Sequence, residues 1–237
     1  MSGWPAYRAA WSRGVVALAT AGIVAGSTGA LAARAAPTSI ASQSPSAILA
    51  AATSAIDGAS TVHVAGSGFE NGAPISLDLY LAAGKGGEGT VALGDLSFQS
   101  VVIGNEGYFK ASAAFWKRYG NAAIAQLIQN RWLKAATSGD FASFAEFANI
   151  HNLFSGLLES HGTLAKGRLT TIHAQRVIPI IDQANGGTLY VAVTGKPYPV
   201  EIANTRQHGV IVINNIDQPV ALTAPPGAID ISQLEKG

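Results

Sequence analysis

Cysteine is absent from the 237-residue chain, and its absence excludes several kinds of site at once. Without a thiol there is no disulfide, no thiolate-ligated metal and no cysteine nucleophile. A diacylglyceryl anchor is excluded as well, because that lipid is attached to a cysteine sulfur. The stability and the chemistry of this protein must therefore come from other side chains.

Charge is also scarce, since Asp, Glu, Lys and Arg make up 12% of the residues while hydrophobic residues make up 48%. The charged share is about half of that in an ordinary soluble domain. This composition favours a large core, a cavity for lipid or a membrane-facing surface. The 15 basic residues nearly balance the 14 acidic ones, so nothing indicates a nucleic-acid partner.

The motifs of hydrolases, metalloproteins and nucleotide-binding proteins are missing too. There is no Gly-x-Ser-x-Gly and no His-Glu-x-x-His. The glycine-rich run at residues 84–89 lacks the Gly-Lys-Ser/Thr ending of a phosphate loop, so it is interpreted as a hairpin turn. No two histidines have the i, i+4 spacing of a helical metal site; they are His63, His151, His161, His173 and His208. We therefore predict no catalytic residue, no metal and no cofactor.

Residues 1–36 have the pattern of an export signal. Arg8 and Arg13 precede an uncharged stretch over residues 14–33, and small residues beside Arg34 provide cleavage sites. The stretch is just long enough to span a bilayer, so cleavage and retention as an anchor are both open. In either case we expect an exported protein of the cell envelope, the periplasmic space or the extracellular medium.

A flexible linker is predicted after the signal, over the Pro- and Ser-rich residues 37–45. Residues 46–237 are predicted to form one domain, which begins with a helix over residues 46–56. Leu77, Leu79 and Leu81 alternate with polar residues, as expected of a strand with one buried face. Short strands joined by tight turns pair in an antiparallel way. Strands are predicted at residues 61–69, 75–81, 90–93, 96–103, 108–111, 164–169, 170–180, 188–194, 200–205, 210–214 and 220–223.

An aromatic helical insert at residues 139–158 lies between the two blocks of strands. Its large apolar residues recur every three or four positions, the spacing of one helix face. A second apolar helix is predicted just before it, over residues 122–130. A curved sheet covered by such helices builds an apolar cavity, although an ordinary filled core explains the same periodicity.

The predicted lipid cavity has a helical wall and a sheet wall. The helical wall comprises Ile124, Leu127, Ile128, Phe141, Phe144, Phe147, Phe154, Leu157 and Leu158. The sheet wall comprises Leu77, Leu79, Leu81, Phe98 and Val101.

A basic segment without any acid lies between Gly107 and Gly139, and aromatic residues are interleaved with it. Anionic headgroups and the membrane interface attract such a combination. The residues predicted to contact a headgroup or membrane are Lys110, Lys117, Arg118, Arg131 and Lys134. The alternative interpretation is a solvated helix rim.

Four segments together carry a resemblance to a known family. They are Gly104-Asn-Glu-Gly-Tyr-Phe, Gly167-Arg-Leu-Thr-Thr-Ile-His-Ala-Gln-Arg-Val-Ile-Pro, Thr194-Gly-Lys-Pro-Tyr-Pro-Val, and Ala224-Pro-Pro-Gly-Ala-Ile-Asp. In this order and spacing the sequence resembles the LppX/LprG-type actinobacterial envelope lipoproteins, which are similar in fold to the LolA/LolB carriers. The resemblance covers about residues 46–234. Where that family usually has a lipobox cysteine, this chain has none, so any anchoring would use the N-terminal apolar segment.

The resemblance implies an α+β fold: a curved antiparallel β half-barrel with α-helices covering its concave face. It implies a carrier without catalysis that binds and transfers lipids or lipidated glycans in the envelope. The expected partners are an acylated lipid or glycolipid, a membrane surface and an envelope transporter. Two alternatives are an adaptor domain with a filled core that binds a protein partner, and an esterase for which the sequence offers no nucleophile.

Overall fold

The computed structural model describes residues 39–70, 72–119, 126, 128–138, 148–206 and 208–231. The predicted export signal lies outside these residues. The helices delimited within them are α1 (Pro45–Asp57), α2 (Ala113–Tyr119) and α3 (Ile150–Leu158), and a 3-10 turn spans Ile40–Ser42. None of the described helices combines the length and the hydropathy that crossing a bilayer requires.

Thirteen strands are described, and they form one sheet. They are β1 (Thr61–Glu70), β2 (Ala73–Ala82), β3 (Gly86–Leu93), β4 (Leu96–Ile103), β5 (Glu106–Ala111), β6 (Leu133–Ala136), β7 (Leu164–Lys166), β8 (Thr170–Ile172), β9 (Gln175–Asp182), β10 (Gly187–Ala192), β11 (Pro199–Asn204), β12 (Gly209–Asn214) and β13 (Ile229–Asp230).

The sheet is open and almost entirely antiparallel. Its order is β13-β6-β5-β4-β3-β2-β1-β12-β11-β10-β9-β7, with β8 also paired to β9. The two blocks of strands meet where β1 pairs with β12. The single parallel pair in this order joins β13 to β6 at one edge. The predicted α+β fold, a large curved antiparallel sheet with few helices, is confirmed.

Helix α1 forms as its sequence predicts. The Ser44 hydroxyl accepts a hydrogen bond from the Ala47 N–H at 3.2 Å, and Pro45 occupies the first helical position, where no N–H is needed. Ile48, Ala52 and Ile56 have no exposed surface and lie on one face. That face packs against α3 and the sheet.

Two apolar cores lie on the same face of the sheet. The first, called the α1–α3 core, joins both helices to β1, β2, β9, β10 and β12. The second, called the α2 core, joins α2 to β5 and β6. The α2 core consists of Phe109, Ala111, Phe115, Trp116, Ile128, Leu133 and Ala135, with Phe98, Ile229 and Ile231 packed against it.

Several strand predictions need correction. The strand expected over residues 170–180 breaks into β8 and β9, because His173 and Ala174 have φ values of 48° and 61°. Residues 220–223 form no strand, and β6 was not predicted. The strand β3 begins at Gly86, within the run interpreted as a turn. Within β3, position 89 requires glycine, because a Cβ at Gly89 would lie 2.1 Å from a backbone oxygen of β2.

The described part of the predicted flexible linker contacts the domain. Lys166 Nζ donates hydrogen bonds to the carbonyl oxygens of Ala41 and Gln43, both at 2.9 Å. Ile40 packs against the α1–α3 core. These contacts hold the chain against the domain before α1 begins.

Candidate functional site

An unbroken row of apolar side chains connects the two cores across the sheet. The strand register aligns Leu77 with Val91, Val91 with Phe98, and Phe98 with Ala111. Residues paired directly in antiparallel strands point to the same face, so these four form one row. Leu77 and Val91 pack against the α1–α3 core, whereas Phe98 and Ala111 belong to the α2 core. We call these four residues the apolar row.

The apolar row is only partly covered. Leu77, Val91 and Phe98 are half-buried, whereas most residues of the two cores are buried. Ile75 and Leu93 are paired with each other two positions along the strands, on the same face, and are also half-buried. Half-buried carbon on the middle strands provides a surface on which an alkyl chain can replace water.

The predicted cavity residues divide between the two cores. Leu79, Leu81, Phe154 and Leu158 are buried in the α1–α3 core, and Leu157 packs against it. Phe98 and Ile128 lie in or against the α2 core. The structure thus brings the sheet and helix residues together, but it packs most of them against one another. Ile124, Leu127, Phe141, Phe144 and Phe147 lie outside the described residues.

Val101 does not share the wall predicted for it. Its neighbours across the register are Glu88 and Tyr108, whereas Phe98 is aligned with Val91 and Ala111. Positions three apart on a regular strand point to opposite faces. Val101 therefore lies on the face away from the apolar row, and its assignment to the cavity is wrong.

The aromatic insert is not one continuous helix. Helix α3 begins at Ile150, and the extended residue Asn149 caps it by accepting a hydrogen bond from the Asn152 N–H at 3.0 Å. The buried face of α3 comprises Ile150, Phe154 and Leu158, with the spacing expected of one helix face. Residues 139–147 of the insert lie outside the described residues.

The five predicted basic contacts do not form one surface. Lys117 and Arg118 are exposed on α2, and Arg131 is exposed before β6. Lys134 instead forms an ion pair with Glu106, the residue just before the basic segment. Its Nζ also lies 5.9 Å from the centre of the Tyr108 ring. The hydrogen bond from Lys134 lowers the pKa of Glu106. Lys110 lies two residues from Tyr108 on that same face, opposite the apolar row.

Trp116 has an unsatisfied donor inside the α2 core. The residue is 9% exposed, and its indole Nε1–H has no hydrogen-bond partner within the described structure. Phe115 contacts it edge-on, with the ring centres 5.4 Å apart. Both lie within the basic, aromatic segment for which the sequence suggested a membrane interface, and both are core residues. A buried donor without an acceptor costs about 1–3 kcal/mol, and a ligand oxygen in the α2 core would satisfy it.

The opposite face of the sheet carries a polar cluster that the sequence did not reveal. His63 lies within 2.8 Å of both Asn214 Oδ1 and Asp78 Oδ1, and its ring stacks on Tyr80 with centres 4.0 Å apart. Asn214 is 151 residues from His63, so only the β1–β12 pairing brings them together. Among the described residues, no three acidic or histidine side chains are arranged to hold a metal ion.

No protein-family model matches the sequence, and no curated protein sequence matches it significantly. Among solved structures, LprF from Mycobacterium bovis is similar, with a TM-score of 0.53 and 13% identity, over 77% of this chain and 97% of LprF. The MucA/MucB complex of Pseudomonas aeruginosa has a TM-score of 0.35 and 11% identity, over 81% of this chain and 61% of that one. A LolA superfamily protein from Nitrosomonas europaea has a TM-score of 0.23 and 8% identity, over 78% and 96%.

The architecture is therefore that of an open antiparallel sheet with helices packed on one face. More particularly, it is the fold of LprF, because the similarity spans nearly all of that chain. The fold implied by the sequence resemblance is confirmed. At TM-scores below 0.5, the other two similarities do not define the fold.

Proposed function

We propose that this protein binds lipid and carries it within the cell envelope, without covalent chemistry. The observation that carries this proposal is the half-buried apolar row, which connects two cores on the helix-bearing face of an LprF-like sheet. An acyl chain lying along Leu77, Val91 and Phe98 would complete their burial. The mechanism is then burial of a chain in the carrier and its release at an acceptor.

The energy available from such burial is sufficient for useful affinity. Each buried CH₂ contributes about 0.8 kcal/mol, so about ten of them contribute about 8 kcal/mol before the entropy of association is subtracted. A single chain along the row therefore supports binding at about micromolar level or weaker, and a second chain would tighten it. Few directed polar contacts are needed.

The polar end of the ligand would lie near α2. Trp116 offers an ester or amide oxygen its indole N–H, which has no acceptor among the described residues, and the next two residues, Lys117 and Arg118, are exposed. Those two cations suit an anionic headgroup or the surface of an anionic membrane. An acylated lipid or glycolipid is the ligand class we infer, with a membrane surface and an envelope transporter as donor or acceptor.

The test is direct identification of a bound lipid. Residues 37–237 are purified without detergent, and native and denaturing mass spectra are compared with an organic extract of the same sample. A mass excess that extracts as an acylated species supports the carrier. A clean apo mass, unchanged after incubation with envelope lipids, refutes it.

The second candidate is an envelope adaptor with a filled core that binds a protein partner. The α1–α3 core favours it, because Ile48, Ile56, Val62, Val64 and Phe154 have no exposed surface. An acyl chain could enter the α1–α3 core only if these side chains moved apart. The adaptor predicts a clean apo mass together with a partner held on an exposed apolar patch.

A further inference from the structure

The face of the sheet opposite the apolar row carries a pocket of about 240 Å³. Tyr80 and Glu88, which are paired directly between β2 and β3, contribute the sheet side of this pocket. Tyr80 lies between two core residues of β2, so its side chain points away from the cores. The other side comes from residues 215–221 after β12, which we call the strap. Its lining residues are Asn215, Gln218, Pro219, Val220 and Ala221.

The strap is fixed at its start, so this side of the pocket is preformed. Asp217 Oδ1 accepts hydrogen bonds from the Ser60 N–H at 2.8 Å and the Ser60 hydroxyl at 3.0 Å. Its other carboxylate oxygen accepts a hydrogen bond from the Tyr198 hydroxyl at 2.8 Å. The Thr61 hydroxyl donates to the carbonyl oxygen of Gln218 at 2.6 Å. These hydrogen bonds fix Asp217 and Gln218 in position, and with them this side of the pocket.

The orientation of the Tyr80 ring is fixed as well. His63 stacks on it with an interplanar angle of 13°, and contacts from Asn214 and Asp78 to both ring nitrogens hold His63 in place. Since His63 comes from β1, it covers the ring face on that side. The other ring face is turned toward β3, where Glu88 lies.

We propose that this pocket binds an organic ammonium ion. Glu88 is half-buried, and within the described structure its carboxylate has no ion pair and no hydrogen bond. A partly desolvated carboxylate beside an aromatic ring face attracts a cation through charge and through the ring quadrupole. The amide oxygens of Asn215 and Gln218 can face the positive charge, and Pro219, Val220 and Ala221 suit the carbon groups around it. The ammonium group belongs either to a free amine or to the headgroup of a lipid.

The test compares choline with 3,3-dimethyl-1-butanol, its neutral isostere, by isothermal titration calorimetry on the full chain. We expect choline to bind at least about tenfold more tightly than the isostere, because only choline carries the charge. Glu88→Gln keeps the size and polarity of the side chain and should weaken choline binding by about tenfold or more. Glu159→Gln, at the exposed end of α3, is the matched control and should change nothing. Circular dichroism verifies that each variant is folded.

Vesicles distinguish the two sources of the ammonium group. Retention of the protein on phosphatidylcholine vesicles over phosphatidylglycerol vesicles, lost in Glu88→Gln, supports a lipid headgroup. Choline binding without such retention supports a free amine. The proposal is overturned if choline does not bind, if the isostere binds equally well, or if Glu88→Gln binds choline like the wild type. The pocket does not depend on the apolar row, so failure of either idea leaves the other standing.

Discussion

The substitution Val91→Asn, in the middle of the apolar row, tests whether the row binds lipid. Val91 lies between Leu77 and Phe98 in register and is half-buried, so a bound chain would cover what remains exposed. The change removes two methyl groups, each worth about 0.8 kcal/mol when fully buried, and places an amide under the ligand at about 1–3 kcal/mol. Because only a minor part of the side chain is left for the ligand to cover, the cost of the amide dominates, and we expect a loss of about 2 kcal/mol. That corresponds to about a 30-fold weaker dissociation constant.

Val210→Asn is the matched control, because it makes the same chemical change on the other face of the sheet. Val210 is 42% exposed and precedes Ile211, which packs against the α1–α3 core. Both variants are titrated with a fluorescent fatty acid after their urea midpoints have been compared. If Val91→Asn binds within about threefold of the wild type, or if Val210→Asn weakens binding equally, the row does not hold the chain.

Two further predictions concern stability. Phe154→Ala should lower the free energy of unfolding by about 3–5 kcal/mol in urea titrations, since Phe154 has no exposed surface and its removal leaves a cavity between α3 and the sheet; a loss below about 1 kcal/mol would mean that this core repacks freely. Burial raises the pKa of Asp182, but hydrogen bonds from Asn185, Ala184 and Gly162 outweigh that effect and hold the pKa below its usual value. The stability from this ionised group is fully present above the unfolded pKa near 3.9 and is lost as pH falls through the lower folded pKa. Unfolding of wild type and Asp182→Asn should therefore differ most above about pH 5 and converge in acid, and a constant difference would contradict this assignment.

Local patterns predicted the parts of the fold that depend on near neighbours in sequence. Ile48, Ala52 and Ile56 fix the buried face of α1 because helical periodicity alone brings them together. Strand alternation places Phe98 and Val101 on opposite faces of β4 because they are three positions apart, so their assignment to one wall contradicts the local pattern. The strand β6 was not predicted, because its residues lie within the basic, aromatic segment and were interpreted with it.

Contacts between distant segments could not be predicted from the sequence alone. The hydrogen bonds between Ser60 and Asp217 span 157 residues, and the contact between His63 and Asn214 spans 151. Each depends on the β1–β12 register, which a single sequence does not determine. The half-buried state of Val91 has the same origin, because neighbouring strands and helices decide how much of the side chain is covered.

The two cores have different roles in any carrier built on this fold. Opening the α1–α3 core would separate side chains that have no exposed surface, including Ile48 and Phe154, and would lose several kcal/mol before a ligand contributed anything. Within the described residues, the α2 core contains a donor in Trp116 that has no acceptor, and it is bordered by half-buried Phe98. A lipid therefore gains most by entering along the apolar row toward α2, where it satisfies a donor and completes a partial burial. The α1–α3 core then acts as the fixed frame that holds the row in shape.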